Sequence, residues 1–389
     1  MSHARYAQGL NNSFRYQQVF RTGYRPMAHL SITREMDQVP IVIASAFPTS
    51  RHWEHPPMTV RIQRGIAAAL PIDPVESSPW EIWNAVALAR IHAVNASLQQ
   101  PPLYVGRSCL ALNEIHGWSM NPPITIYRTS RRCTSHIPPC HIGRFTVPGT
   151  HVSCSSVPPL SSQRGRINGL ETEHPFDALI RCTQQEEPLE AFVLGCMALH
   201  KWSEFSVFHQ PDCRARAEQI RGELLDRLEK SHMKRGRRRA RTILRCIDPG
   251  CDNPAEAALL WLVRSISPFP TRTQVHLEIR GNRYYADILI EDLRIIIEFD
   301  GIGKLGSDSF EFAQAKRDWI RRDQDLRDAG WNVIRVSWPD YNDWESLRLR
   351  LIRAIGSTSA SPEHRLLWSI PSESCDGHDR RFHLTAPRH

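Results

Sequence analysis

The stretch "YADILIEDLRIIIEFDG", residues 285–301, constrains this chain more than any other. It reads as two β-strands and a turn, yet it sets acids at Asp287, Glu298 and Asp300 among residues of sheet-core type. Side chains alternate along a strand, so Glu298 and Asp300 share a face. With a two-residue turn at Glu291 and Asp292, Asp287 lies opposite Ile296 on that same face. Asp287 and Glu298 are then diagonal cross-strand neighbours, about 7–8 Å apart between backbones. A three-residue turn puts Asp287 on the other face. Acids beside Ile288, Ile295, Ile296 and Ile297 are costly unless protonated, paired or metal-bound. Two readings follow. One is a Mg²⁺ site; the other is an acid face neutralised by the basic segment "KRDWIRRDQDLR" through Lys316, Arg317, Arg321 and Arg322.

Glu256 has two readings as well. "DNPAEAALLWLVRSI" opens a helix with Asn253 as N-cap and Pro254 in the first helical position. Glu256 stands three after the cap, where a capping-box partner belongs. It is either that partner or a fourth acid brought to the carboxylate site.

The chain has 389 residues, enough for two or three domains with cores of their own. Its formal charge of +8 favours an acidic partner, of which nucleic acid is the commonest. The N-terminal "MSHARYAQGLNNSF" lacks the apolar run of a secretory signal, and no segment nears the roughly 18 apolar residues of a membrane helix. The expectation is a soluble, cytoplasmic protein. Its ten cysteines show no framework spacing and read as free thiols. "CTSHIPPCH" (Cys133, His136, Cys140, His141) and "CIDPGC" (Cys246, Cys251) lack the paired C-x-x-C spacing of a zinc site and read as loop cysteines.

Along the chain, residues 1–57 are polar and weakly periodic, partly disordered or a degenerate winged helix. Residues 58–229 form an α+β region. "MTVRIQRGIAAAL" alternates like a strand, and the next helix starts at Ser78, Pro79 and Glu81. "PLYVGRSCLALNEIHGW" predicts a strand and a second helix stopped by Gly117. Short strands are expected over 122–168, and helices follow. Residues 230–250 form a basic helical linker in which "KSHMKRGRRRARTILR" holds eight Lys or Arg in sixteen residues. Arg235, Arg237, Arg238, Arg239 and Arg241 there are expected to meet DNA phosphates, as are Arg317, Arg321 and Arg322. The alternative for the run is a solvated helix face between domains. Residues 251–357 read helix, strand, strand hairpin, helix, strand, helix, and 358–389 form a loose polar tail.

The order Glu256, Asp287, Glu298-Phe299-Asp300-Gly301 and "RRDQDLRDAGWNVIRVSW" resembles the PD-(D/E)XK nuclease superfamily. The closest likeness is to the very-short-patch-repair endonuclease-like domain. Residues 58–245, through "PLYVGRSCLALNEIHGW", "GLETEHPFDALIRCTQQEEPLEAFVLGCMAL" and "RGRRRARTIL", resemble the AbiEi-family antitoxin or transcriptional regulator of type IV toxin–antitoxin systems. The implied architecture is α/β: a C-terminal restriction-endonuclease-like mixed sheet flanked by helices, preceded by an α+β regulator-like region.

The nuclease resemblance implies Mg²⁺ (or Mn²⁺) on Asp287 and Glu298, with Asp300 as a further ligand and Glu256 orienting a water or second metal. The superfamily's usual lysine falls at Asp300, so Lys304 or Lys316 is expected to supply the ammonium. The expected partner is double-stranded DNA, cleaved in repair or defence. The alternative is a non-catalytic antitoxin or transcriptional regulator with a degenerate nuclease domain and a cognate toxin as partner.

Overall fold

The computed structural model describes residues 41–43, 58–70, 72–73, 75, 77–128, 135–143, 145–300 and 309–369. Apart from the strand at 41–43, the reading of residues 1–57 lies outside them. Strands β1 (Ile41–Ile43), β2 (Met58–Gln63) and β3 (Ile66–Leu70) make a small sheet with β3 central. Helix α1 (Pro79–Ser97) packs on it and begins where the sequence says. The Ser78 hydroxyl accepts from the Glu81 N–H, and the Glu81 carboxylate accepts from the Ser78 N–H, a closed capping box.

The next elements are β4 (Leu103–Tyr104), α2 (Gly106–Leu112), β5 (Ile124–Tyr127), β6 (Ser135–Ile137), β7 (Cys140–Ile142), β8 (Phe145–Val147), β9 (Thr150–Cys154), β10 (Arg164–Ile167) and β11 (Leu170–Glu173). Six of these strands form a mixed sheet in the order β10-β11-β4-β5-β9-β6, and β7 pairs with β8 alone. Helix α2 ends at Leu112, well before Gly117. Glu114 adopts the left-handed conformation (φ 56°), and the N–H of Ile115 returns to the Leu110 carbonyl, closing the helix without a glycine. Gly117 is required for a different reason: a Cβ there would sit 1.9 Å from Oε1 of Glu190.

Helices α3 (Pro175–Gln185), α4 (Pro188–Trp202), α5 (Gln210–Lys230) and α6 (Arg237–Cys246) follow. The C-terminal unit comprises α7 (Pro254–Ile266), β12 (Arg272–Ile279), β13 (Asn282–Ile290), β14 (Ile295–Asp300), α8 (Ser309–Asp328), β15 (Asn332–Ser337) and α9 (Trp344–Ile355). This is the element order expected, and the molecule is mixed α/β. Its sheet runs β12-β13-β14-β15; the first three strands are antiparallel, and β15 lies parallel to β14 after the α8 crossover. No described helix is long and apolar enough to cross a membrane.

Two features depart from the sequence reading. The first is continuity. One buried core runs from Cys109 to Leu367, and α7 packs against α4 on one side and β14 on the other. Trp118 of the central region stacks on Trp338 and meets Tyr341 and Trp344 edge-on, so apolar packing crosses position 251 without a break. The second is the start of the tail, which is not loose. Leu367 is fully buried, its carbonyl accepts from the Trp261 indole N–H (2.8 Å), and Trp368 stacks on Trp261. Aromatic and aliphatic side chains inside a polar stretch dock it.

Candidate active site at the fork of the C-terminal sheet

Apolar side chains on its two faces hold the C-terminal sheet between two helical layers. Ile288, Ile290, Ile295, Ile297 and Phe299 belong to the core that includes α7; Leu289, Ile296 and Val333 pack with Leu326 of α8. The β13–β14 ladder contains Ile288↔Ile297, Leu289↔Ile296 and Ile290↔Ile295, and stops there. Continuing the register by one places Asp287 opposite Glu298, where the strands fork.

This corrects the expected turn. The connection is four residues, a 3₁₀ turn over Glu291–Leu293 followed by Arg294 in the left-handed region (φ 51°). Two additional residues preserve the face but move the partner by two, from Ile296 to Glu298. Asp287 and Glu298 are thereby opposed, not diagonal.

Donors from both prongs and from α8 fill the fork. Oδ2 of Asp287 accepts from the Phe299 N–H (3.0 Å), and Oδ1 accepts a long hydrogen bond from Nε2 of Gln274 (3.3 Å). Arg322 of α8 bridges the prongs, donating to the Tyr285 carbonyl (2.6 Å) and to Oε1 of Glu298. Its Nε is buried and meets no acceptor among the described residues. Arg335 stands opposite Glu298 in the parallel ladder; its Nη1 lies 3.2 Å from Oε2 of Glu298 and 3.1 Å from each Asp300 oxygen. Asp323 binds the same guanidinium at 3.3 Å, and Trp319 lies beneath it, 4.4 Å from ring centroid to Cζ.

Glu298 is 3% exposed. Burial raises its pKa, with the Asp287 and Asp300 charges pushing the same way, while Arg322 and Arg335 offset part of the rise. Arg335 is itself partly desolvated, which lowers its pKa, yet Glu298, Asp300 and Asp323 together raise it. Glu298 and Arg335 are thus in direct contact, with burial working against the charged form of the carboxyl. Among the described residues, two guanidiniums, those of Arg322 and Arg335, meet Glu298 and Asp300.

Glu256 lies on α7, across the sheet from α8. Its carboxylate accepts from the Asp252 N–H (2.9 Å) and the Asn253 side-chain amide (2.6 Å), and Asn253 Oδ1 accepts from the N–H groups of Ala255 and Glu256. The helix-start reading of Glu256 is thus realised. Among the described residues no three His, Cys, Asp or Glu side chains converge as a metal-holding group, and Lys304 lies outside the described residues.

The basic run separates by role. Arg237 donates to the Ser231 carbonyl, Arg239 to the Gln184 carbonyl, and Arg241 pairs with Glu229. These three brace α6 against its neighbours. Arg235 and Arg238 are exposed, as are Arg317 and Arg321, with Arg321 paired to Asp318. Arg322 is committed to the fork. Sequence reasoning missed Arg335 and Trp319. The signal for Arg335 was a lone arginine in the alternating apolar strand "VIRVSW". No protein-family model, no curated protein and no solved structure matches the chain.

Proposed function

We propose that the chain is a cytoplasmic DNA-binding protein whose C-terminal unit is a divalent-metal-dependent endonuclease of the PD-(D/E)XK, restriction-endonuclease-like kind. The observation that carries this reading is the opposition of Asp287 and buried Glu298 where the β13–β14 ladder ends. The element order of helix, three antiparallel strands, crossover helix and parallel strand supports the architecture. Free thiols at all eight described cysteines suit a reducing compartment.

The donor set fits a hard cation. It offers carboxylate oxygens from two opposed strands. Asp287 and Glu298 would hold the ion, and Asp300 is the adjoining carboxylate. A Mg²⁺ or Mn²⁺ bound there supplies an acidified water and charge stabilisation for a phosphodiester. The chain's own residues do the rest. Phe299 N–H and Gln274 fix the Asp287 carboxylate in orientation. Arg322 and Arg335, once released from Glu298, present planar forks of donors suited to phosphate oxygens. Exposed Arg235, Arg238, Arg317 and Arg321 supply sequence-independent phosphate contacts. Lys304 remains the proposed ammonium.

A second reading has its own observation. Both oxygens of Glu298 already carry guanidiniums, the arrangement expected of a non-catalytic antitoxin or transcriptional regulator with a degenerate nuclease scaffold and a cognate toxin. Supercoiled plasmid incubated with the full chain and Mg²⁺ or Mn²⁺ separates the two. Nicking abolished by Asp287→Ala and by EDTA is expected; a salt-sensitive gel shift without nicking would favour the regulator.

A further inference from the structure

We propose that Val275–Ile279, on the outermost strand β12, is an interaction edge for a second copy of this chain, which pairs with it antiparallel about a two-fold axis at Leu277. Such pairing needs no nucleic acid and joins the two C-terminal sheets into one.

A strand at the end of a sheet leaves a row of backbone N–H and C=O groups without a ladder partner. The C-terminal sheet ends in β12 on one side and β15 on the other. On β15, guanidiniums take two carbonyls: Arg327 donates to Val333 (3.4 Å) and Arg350 to Arg335 (3.1 Å). The start of β12 is engaged as well, with Gln210 on the Gln274 carbonyl (2.6 Å) and Arg214 on the Thr273 carbonyl (2.8 Å). From Val275 to Ile279, no described residue outside the β13 ladder hydrogen-bonds the backbone. Left-handed Gln274 (φ 50°) and Arg280 (φ 53°) bound this stretch. About 17 Å of strand is therefore open, and it contains none of the Lys, Pro or Gly residues that blunt an edge.

The residues of the open stretch, "VHLEI", select what lies alongside. Val275, Leu277 and Ile279 are half-buried and pack with the cluster that holds Leu326 of α8; His276 and Glu278 alternate with them and are exposed. Antiparallel pairing about Leu277 sets Val275 against the second copy's Ile279 and His276 against its Glu278, and the two-fold axis repeats both pairs. Apolar pairs then meet on one face and two imidazole–carboxylate pairs on the other, with opposed Cβ atoms about 4.5–5.5 Å apart. An axis at Glu278 would set two carboxylates face to face, and one at His276 would leave Glu278 against Gln274. Only the Leu277 register matches every position. Glu278 has no ion pair among the described residues, although Arg283 stands opposite it in the β13 ladder. His276 is held ready: its ring lies on that of Tyr285, with centroids 5.4 Å apart. An unrelated strand would supply backbone hydrogen bonds alone, whereas a second copy supplies backbone, apolar and charge matches in one register. The contact is short against the roughly 800 Å² per partner of a stable complex, so a dissociation constant on the order of 10 µM is expected.

The test is sedimentation velocity on the full chain, without DNA, over a concentration series, with amide hydrogen exchange read by mass spectrometry on the same samples. Wild type should pass from one chain to two as concentration rises through about 10 µM, and exchange over 275–279 should slow in step. His276→Glu sets carboxylate against carboxylate at both pairs and should weaken association about tenfold. Glu278→Lys sets a cation against imidazole at both pairs and should act in the same direction. An equal mixture of the two variants restores opposite partners at both pairs and should associate more tightly than either variant alone. Both side chains are exposed, so neither change removes a core contact. A single chain throughout the series, with 275–279 exchanging freely, would overturn the proposal. A dimer indifferent to both variants would do the same. So would protection of 275–279 that does not vary with concentration, which would assign the edge to a segment of the same chain.

Discussion

Asp248, in the loop between α6 and α7, binds the guanidiniums of Arg214 and Arg264, the Thr273 hydroxyl (2.6 Å) and the Gly250 N–H (2.9 Å). Burial alone would raise its pKa, but Arg264 and Arg214, with these hydrogen bonds, pull it down to about 2. A folded-state pKa below the unfolded one contributes stability above the unfolded value, lost as pH falls through the folded one. Asp248→Asn should therefore cost about 2 kcal/mol in urea unfolding at pH 7, with the gap to wild type closing between about pH 5 and pH 2. A gap independent of pH would contradict the assignment. Glu298 has the opposite sign: its pKa is raised, so its ionisation works against folding as pH rises. Removing one cation should expose this. Arg335→Ala should destabilise by about 3 kcal/mol at pH 7, and adding Glu298→Gln should restore a large part, a double-mutant cycle that additive losses would refute. At this scale the acids were legible in sequence and their partners were not. Glu298 and Arg335 meet only because two parallel strands align them, and nothing in "VIRVSW" states which residue lies alongside.

Helix starts were the most legible elements, because a cap is written in consecutive residues. Ser78-Pro79 with Glu81 closes as read; Asn253 caps its helix as read, but the Glu256 carboxylate takes the Asp252 N–H and the Asn253 side-chain amide in place of the Asn253 backbone N–H. Asn253→Ala should cost about 1 kcal/mol by thermal unfolding, while an exposed helix-face change such as Gln219→Ala should stay within about 0.5 kcal/mol. The β13–β14 turn was misread for a tertiary reason. Arg294 takes a left-handed conformation that an arginine does not advertise, and α8 keeps it there. Its guanidinium binds the Gly330 carbonyl (3.1 Å) and the Ala329 carbonyl (2.5 Å) at the end of α8 and lies over Trp331. The α2 terminus was misplaced for a similar cause, a left-handed Glu114 in place of glycine.

On the scale of the molecule, the C-terminal unit shares its core with the helices before it. The order of elements suggested a unit beginning at 251, but Trp118 packs on Trp338 and Trp344 across that position, and aromatic contacts between distant segments have no signature in either. The docked tail belongs to the same core. Ending the chain after residue 357 removes buried Leu367 and the Trp261–Trp368 stack, and should cost about 3 kcal/mol or more in denaturant unfolding. An unchanged midpoint would mean that the tail contributes nothing. The proposed function stands on the fork of Asp287 and Glu298 being a cation site latched by guanidiniums. Calorimetric titration of Mn²⁺ into the full chain, wild type beside Asp287→Asn, tests it most directly. The expected result is binding of about one ion per chain in the wild type, absent in the variant and tightened by DNA that draws Arg322 and Arg335 onto phosphate. Indistinguishable heats from the two proteins, with and without DNA, would contradict it and leave the carboxylates as partners of the arginines alone.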